Sequence, residues 1–198
     1  MSTTHKPSQR WTLLLAVAVC FAAPAIAGES RWYVEAKAGQ SNLDADLGAP
    51  FEGWTLDDEV TSAGIEVGYT IHRYFAVQAG YRDLGSTPAL PPPCTFCELD
   101  ENLFIPLDAS ISALSLAAVP RWPINERLSL YGKLGVFHWD ADVDFALDGV
   151  RVGATSEEAL LAAVGAHYGW PSGFGVLLEY EVVTDLFDGA NLGITWHF

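Results

Sequence analysis

The sequence predicts an all-β fold: an eight-stranded antiparallel up-and-down transmembrane β-barrel, preceded by a cleavable signal peptide. Three observations predict it. Apolar residues recur at every second position through eight stretches, the period that sends neighbouring strand side chains to opposite faces. The connections between the stretches alternate between long and short, as they do in barrels of the bacterial outer membrane. The chain ends on an alternating segment whose last residue, Phe198, is aromatic.

The N-terminus sets the compartment. Lys6 and Arg10 form a basic region, Trp11 to Phe21 an apolar one, and Ala25-Ile26-Ala27 a small-x-small cleavage site, so processing is expected between Ala27 and Gly28. A spanning helix is disfavoured because the apolar run is short and interrupted by Pro24. A lipoprotein signal is disfavoured because Val19 precedes Cys20 where a small residue is needed. The expected organisation is a signal peptide over 1–27 and one barrel domain over 28–198. Processing removes two bases and no acid, leaving eight Lys and Arg against twenty-five Asp and Glu, which excludes nucleic acid as a partner.

The strand-like stretches fall at about 31–41, 60–69, 74–84, 109–119, 127–139, 156–168, 174–184 and 190–198, each near the roughly 9–11 residues a tilted strand needs to cross a bilayer. In the first, Trp32, Val34, Ala36 and Ala38 share one face, and Tyr33, Glu35, Lys37 and Gly39 the other. Segments 42–59, 85–108, 140–155 and 185–189 read as loops, and 70–73, 120–126 and 169–173 as tight turns marked by His72-Arg73, by Pro120 and Pro123, and by Pro171-Ser172-Gly173. A soluble barrel or sandwich also alternates, but its outer face is polar. Here the alternate face is almost wholly Leu, Val, Ile, Ala, Tyr and Trp. Because Lys or Arg facing lipid at mid-membrane costs about 2–4 kcal/mol, the charged members are expected to face inward. The expected interior polar network is Glu35, Lys37, Glu66, Gln78, Arg82, Lys133, His167, Glu179 and Glu181. The glycines expected to face inward, among them Gly68 and Gly80, are expected to leave local voids.

The last segment places Leu192, Ile194, Trp196 and Phe198 on one face, with Gly193 five residues before the end. Gly193, Ile194, Trp196 and Phe198 are expected to form the signal read by the barrel assembly machinery.

These pieces together resemble the transmembrane domain of OmpA-like outer-membrane proteins across nearly the whole mature chain. The resemblance is carried by Trp32-Tyr33 with Ala36-Lys37 and Gly39, by Gly68-Tyr69, by Ala79-Gly80-Tyr81 with Leu84-Gly85, and by Trp122-Pro123-Ile124-Asn125. It continues through Leu130 to Gly135 with Trp139, and through Leu178-Glu179-Tyr180. It implies an eight-stranded barrel in the outer membrane of a Gram-negative cell. Two departures accompany it. The longer members carry a peptidoglycan-gripping domain after the barrel, whereas this sequence stops at the last strand, so no cell-wall tether is expected. The family's central acid–base cluster would fall at Gln78, Val119, His167 and Leu177, of which only two are polar. The gating attributed to that cluster is therefore not carried over.

Cys94-Thr95-Phe96-Cys97 has the spacing of a redox or zinc motif, but it lacks the βαβ context that activates a thiolate and the further ligands that zinc needs. In an oxidising compartment Cys94 and Cys97 are expected to form a local disulfide. Asp140, Asp142, Asp144 and Asp148 fail the calcium-loop pattern, since Phe145 stands at the glycine position and Arg151 at the glutamate position. They are expected to belong to a solvated acidic loop. The four loop segments together hold sixteen carboxylates and one base, Arg151. Small barrels that modify lipid A need a Ser/His/acid group near the rim; here Ser110, Ser112 and Ser115 read as packing residues and His138 as a girdle residue.

The expected function is an envelope-structural and surface-contact role through acidic external loops, without enzymatic activity, cofactor or metal. Expected partners are outer-membrane lipid and lipopolysaccharide, with the assembly machinery during biogenesis, for a monomeric protein. A narrow solute pore is the alternative and a lipid-modifying enzyme the third.

Overall fold

The computed structural model describes residues 31–46, 55–89, 107–145 and 151–198. The segment expected to be a signal peptide, with its Ala27/Gly28 junction, the expected disulfide pair Cys94 and Cys97, and Asp148 lie outside the described residues. Eight strands follow one another: β1 (Trp32–Asp46), β2 (Thr55–His72), β3 (Phe75–Ala89), β4 (Leu107–Pro123), β5 (Leu128–Phe145), β6 (Arg151–Gly169), β7 (Phe174–Val183) and β8 (Phe187–His197). Each pairs antiparallel with the next, and β8 returns to β1 to close the barrel. The closing ladder runs from Tyr33↔His197 to Leu43↔Phe187.

At one end sit the short turns between β2 and β3, β4 and β5, and β6 and β7, together with Arg31 and Phe198. Asn125 fixes the second turn by accepting hydrogen bonds from the Arg127 and Leu128 amides at 2.9 and 2.8 Å. Gly173 fixes the third with φ of 87°, a conformation that costs a residue without a Cβ nothing. At the other end the strands overrun the lengths expected from sequence. Residues 42–46, 55–59, 85–89, 107–108, 140–145, 151–155 and 187–189, read above as loop, are strand; at the short-turn end β2 also runs through His72 and β4 through Pro123, where turns are expected. The physical reason is that a ladder continues wherever side chains still find a core, inside or outside the bilayer.

That core changes character along the barrel axis. Toward the short turns, the outward face carries Leu116, Leu134, Val164, Leu178, Leu192 and Ile194, each more than half exposed, and the inward face is polar. Such an outer face requires lipid. Trp32, Trp122, Trp170 and Phe174 stand exposed at the short-turn edge of this band, as aromatic girdles do. Toward the long loops the polarity inverts. Leu43, Leu56, Leu84, Ile111, Phe137, Trp139, Val143 and Phe187 fill the interior, while Asp44, Glu59, Asp83, Asp140 and Glu158 point out and are exposed. Asp140, Asp142 and Asp144 are therefore not a loop. They are the outer face of β5, alternating with buried Ala141 and Val143.

The wall is not of even height. The β5–β6 hairpin reaches Phe145 and Arg151, whereas β7 ends at Val183 and β8 begins at Phe187. Asp185, at φ of 56°, makes this tight turn possible, since a short polar side chain tolerates the left-handed region. Leu186 plugs its side chain into the interior and is 1% exposed.

Candidate functional site

The inward face of the membrane-spanning zone assembles a continuous ionic layer. Lys37 extends from β1 and Lys133 from β5, and both meet carboxylates from β2 and β7. Lys37 Nζ lies 2.7 Å from Glu66, 2.6 Å from Glu179 and 2.9 Å from Glu181. Lys133 Nζ lies 2.7 Å from Glu66, 2.7 Å from Glu179 and 3.3 Å from Glu35. Arg82 of β3 donates two nearly parallel hydrogen bonds to Glu181, at 2.6 and 2.7 Å, the bidentate geometry that a guanidinium favours. Tyr131 donates to Glu179 at 3.0 Å, and Gln78 to Glu35 at 3.1 Å. All of these side chains are buried.

The layer thus holds four carboxylates and three cations, and desolvated charges on this scale persist only when they are paired and hydrogen-bonded. Glu35 is the least well held: its closest contact, 3.1 Å to Gln78, is longer than the closest contact of any other carboxylate in the layer, and it meets one ammonium where Glu66 and Glu179 each meet two. The structure brings eight of the nine sequence-predicted interior residues into this layer. His167 stands apart toward the short-turn mouth, half-buried, bonded to Thr195 Oγ1 at 2.8 Å and tilted against His197 at 5.8 Å.

Two aromatic rings close the space beside the layer. A Cβ on Gly68 would fall 1.9 Å from the Tyr33 ring, and one on Gly165 2.5 Å from the Tyr131 ring, so each glycine is the floor on which a tyrosine lies. A Cβ on Gly80 would fall 2.6 Å from the Glu66 chain. The expectation of voids at Gly68 and Gly80 is corrected: neighbouring side chains occupy both. A small cavity of about 20 Å³ remains at the mouth, bordered by Tyr33, Gln78, Val119, Arg121, His167 and Leu177. Tyr33 Oη and Gln78 Oε1 are buried there without a protein partner among the described residues, and the volume suits a single water.

Arg121 is not evident from the sequence, where Pro120 and Pro123 mark a turn. It lies on β4 with its guanidinium 4.5 Å from the centre of the Tyr33 ring, adding a fourth cation to the inward face. Its signal was its parity with Val119. Also missed was the apolar upper core, although Ala141 and Val143 alternate strictly with the aspartates. His138 is exposed on β5, with Asp140 at 3.9 Å, and Trp139 beside it is buried. Ser110 bonds Ser86 at 2.8 Å on the outer wall.

At the terminus, Gly193 faces inward against Lys37 and Leu177, and Ile194 faces outward. Trp196 stacks on Phe174 at 6.0 Å and meets Phe198 at 5.4 Å, while the Phe198 amide donates to the Trp32 carbonyl at 3.0 Å. The last residues are thereby tied to both neighbours of β8.

Comparison with known proteins fits this geometry. The family model of the OmpA-like transmembrane domain matches residues 27–196. Outer membrane protein A of Yersinia pseudotuberculosis is 28% identical over 193 residues, covering 93% of this chain and 51% of that protein. Outer membrane protein A of Serratia marcescens is 28% identical over 199 residues, covering 93% of this chain and 52% of that one. The chain thus spans about half the length of the curated relatives it matches. Among solved structures, Neisserial surface protein A superposes with a TM-score of 0.59 at 16% identity, covering 84% of this chain and 97% of that one. The attachment invasion locus protein Ail of Yersinia pestis, solved with the heparin analogue sucrose octasulfate, superposes with a TM-score of 0.54 at 22% identity, covering 86% and 100%. At these identities the structural likeness speaks for the fold.

Proposed function

The chain belongs to the OmpA-like transmembrane domain family and is an outer-membrane β-barrel, and from that premise we propose that it is a closed, non-conducting barrel with an envelope-structural and surface-contact role. One observation carries the reading. The bore is filled twice over, by the ionic layer bridging β1, β2, β3, β5 and β7 and, above it, by the apolar layer around Phe137, Trp139 and Phe187. An eight-stranded barrel is only wide enough for side chains to fill, and here both fillings are made of large ones. What remains for function is the outside: an apolar band for lipid and for the acyl chains of lipopolysaccharide, and an acidic upper wall for external partners. A monomer in contact with lipopolysaccharide suits a belt that is apolar around its whole circumference.

Ail was solved with a sulfated polyanion. This chain's upper wall carries Asp44, Glu59, Asp83, Asp140 and Glu158, which argues for partners of the opposite charge. The test is single-channel recording of the purified protein in planar bilayers, with lipid A mass spectrometry of expressing cells alongside. Silence in the first and an unchanged profile in the second are expected. Steady conductance would promote the pore reading, and an altered lipid A profile the enzymatic one.

A further inference from the structure

We propose that the free edge of β6, from Arg151 to Leu160, is a docking site for an extended basic segment of a partner protein, which adds to the barrel wall as a further strand. The proposal rests on the surface-contact reading above and names the surface and the partner's chemistry.

The edge exists because β6 outlasts its neighbour. The β6–β7 ladder runs from Gly169↔Gly175 to Leu161↔Val183 and stops. Thr184 closes it: its amide donates to the Leu160 carbonyl at 3.0 Å, and its Oγ1 accepts from the Leu160 amide at 3.1 Å. Beyond that cap, β6 continues paired to β5 as far as Arg151↔Asp144. Leu160 turns its N–H and C=O toward β7, and an antiparallel strand repeats that direction every second residue. The amides and carbonyls of Glu158, Ser156 and Ala154 therefore face the side that β7 has left, where no strand among the described residues pairs with them.

On the far side of the gap, β1 receives its last bond from the β7–β8 turn, Asp44 N to Leu186 O at 2.9 Å, and then pairs only with β2. With two strands absent from this level, β6 and β1 stand three strand spacings apart, about 14 Å, which is room for an added strand.

Arg151 to Leu160 contains no Pro and no Lys, and its one base, Arg151, is engaged with Asp142 on β5. What guards the edge is the negative charge of Glu157 and Glu158 and the irregular pairing beside Arg151, which turn away a neutral or acidic strand but not a basic one. A cavity of about 250 Å³ opens at its foot, lined by Trp139, Glu157, Glu158, Ala159, Leu160, Thr184 and Asp185. Three of these seven are carboxylates, and they supply the charge, while Leu160 marks the lower limit of the site on the outer face. Main-chain hydrogen bonds along the edge would give affinity, and the carboxylates would select an incoming strand that carries Lys or Arg. A second copy of this acidic chain would bring like charges together at the same place.

The experiment uses the mature barrel in nanodiscs and a fluorescent decapeptide alternating Lys with Val and Thr. Saturable binding is expected, with slowed hydrogen exchange at the amides of Glu158, Ser156 and Ala154, which exchange fast in the free protein. Ala154→Pro removes a free donor without touching the β5 ladder and should weaken binding about fivefold or more. The double variant Glu157→Lys, Glu158→Lys should weaken it by about tenfold or more. Unheated gel mobility verifies that both variants fold. Slow exchange at those amides in the free protein would overturn the proposal by showing the edge already covered. Concentration-dependent protection without peptide would overturn it in favour of a second copy. Equal binding of a backbone-methylated peptide, or of one with Glu in place of Lys, would also overturn it. Peptide binding by a barrel that conducts would sink the closed-barrel reading alone, and no binding by a silent barrel this inference alone.

Discussion

Replacing Lys133 with Met removes a charge while keeping most of the side chain's volume, so its cost reads out the ionic layer. Lys133 is 2% exposed, and its ammonium serves Glu66 and Glu179 at 2.7 Å and Glu35 at 3.3 Å. Without it, four buried carboxylates face two cations. Glu66 and Glu179 retain Lys37, but Glu35 retains only the Gln78 amide at 3.1 Å. Removing one member of a buried ion pair costs about 3–5 kcal/mol, which lowers the folding constant by roughly two to three and a half decades. Adding Glu35→Gln restores the original excess of one negative charge, and should recover about half of the loss. Glu35→Gln alone leaves three carboxylates with three cations and should cost under about 1 kcal/mol, making it the mildest of the four glutamate-to-glutamine changes. Urea unfolding in liposomes, followed by tryptophan fluorescence and unheated gel mobility, measures all three. A Lys133→Met barrel within about 1 kcal/mol of the native one, or Glu35→Gln as costly as Lys133→Met, would refute the layer as a coupled unit.

Gly68→Ala should destabilise by about 1–3 kcal/mol, because its Cβ would meet the Tyr33 ring at 1.9 Å, and adding Tyr33→Leu should relieve part of the loss in the same unfolding assay. Phe137→Ala, which empties the apolar layer where Phe137 meets Phe187 at 5.5 Å, should cost about 3–5 kcal/mol and still pass no current in planar bilayers. Arg151→Ala breaks an exposed pair with Asp142 and should change stability by less than about 1 kcal/mol, within reach of a urea titration. Phe198→Ser removes the contact with Trp196 and should lower the yield of heat-modifiable barrel in outer-membrane fractions.

The membrane-spanning half of the fold was legible because one rule governs it: where lipid lies outside, charge must lie inside, so alternation alone assigns faces. Glu35, Lys37 and Lys133 could be placed that way before any coordinates. The upper half keeps the same period with the opposite phase. Asp140, Asp142 and Asp144 alternate with Ala141 and Val143 as strictly as the lower strands do, but a polar outer face looks like a loop to a reader expecting lipid. Partner choice within the ionic layer was not legible either. That Lys37 reaches past β8 to β7 while Glu35 meets Lys133 of β5 across the bore depends on stagger between strands far apart in sequence, which periodicity does not encode. Arg121 was lost because Pro120 reads as a turn, whereas Phe75↔Pro120 is a ladder pair next to the β2–β3 turn.

The inversion of polarity between the two halves also acts as a depth gauge. Sliding the barrel inward by one side-chain repeat, about 6.6 Å along a strand, would carry Asp83, Glu158 and Asp188 into hydrocarbon. Sliding it outward would lift Leu160 and Val182 into water and draw the Trp122 and Trp170 edge off the inner interface. Each displacement is opposed on many strands at once, so the barrel has a single resting height. Whatever the upper wall and its hairpins present to the exterior is therefore held at a fixed distance above the lipid.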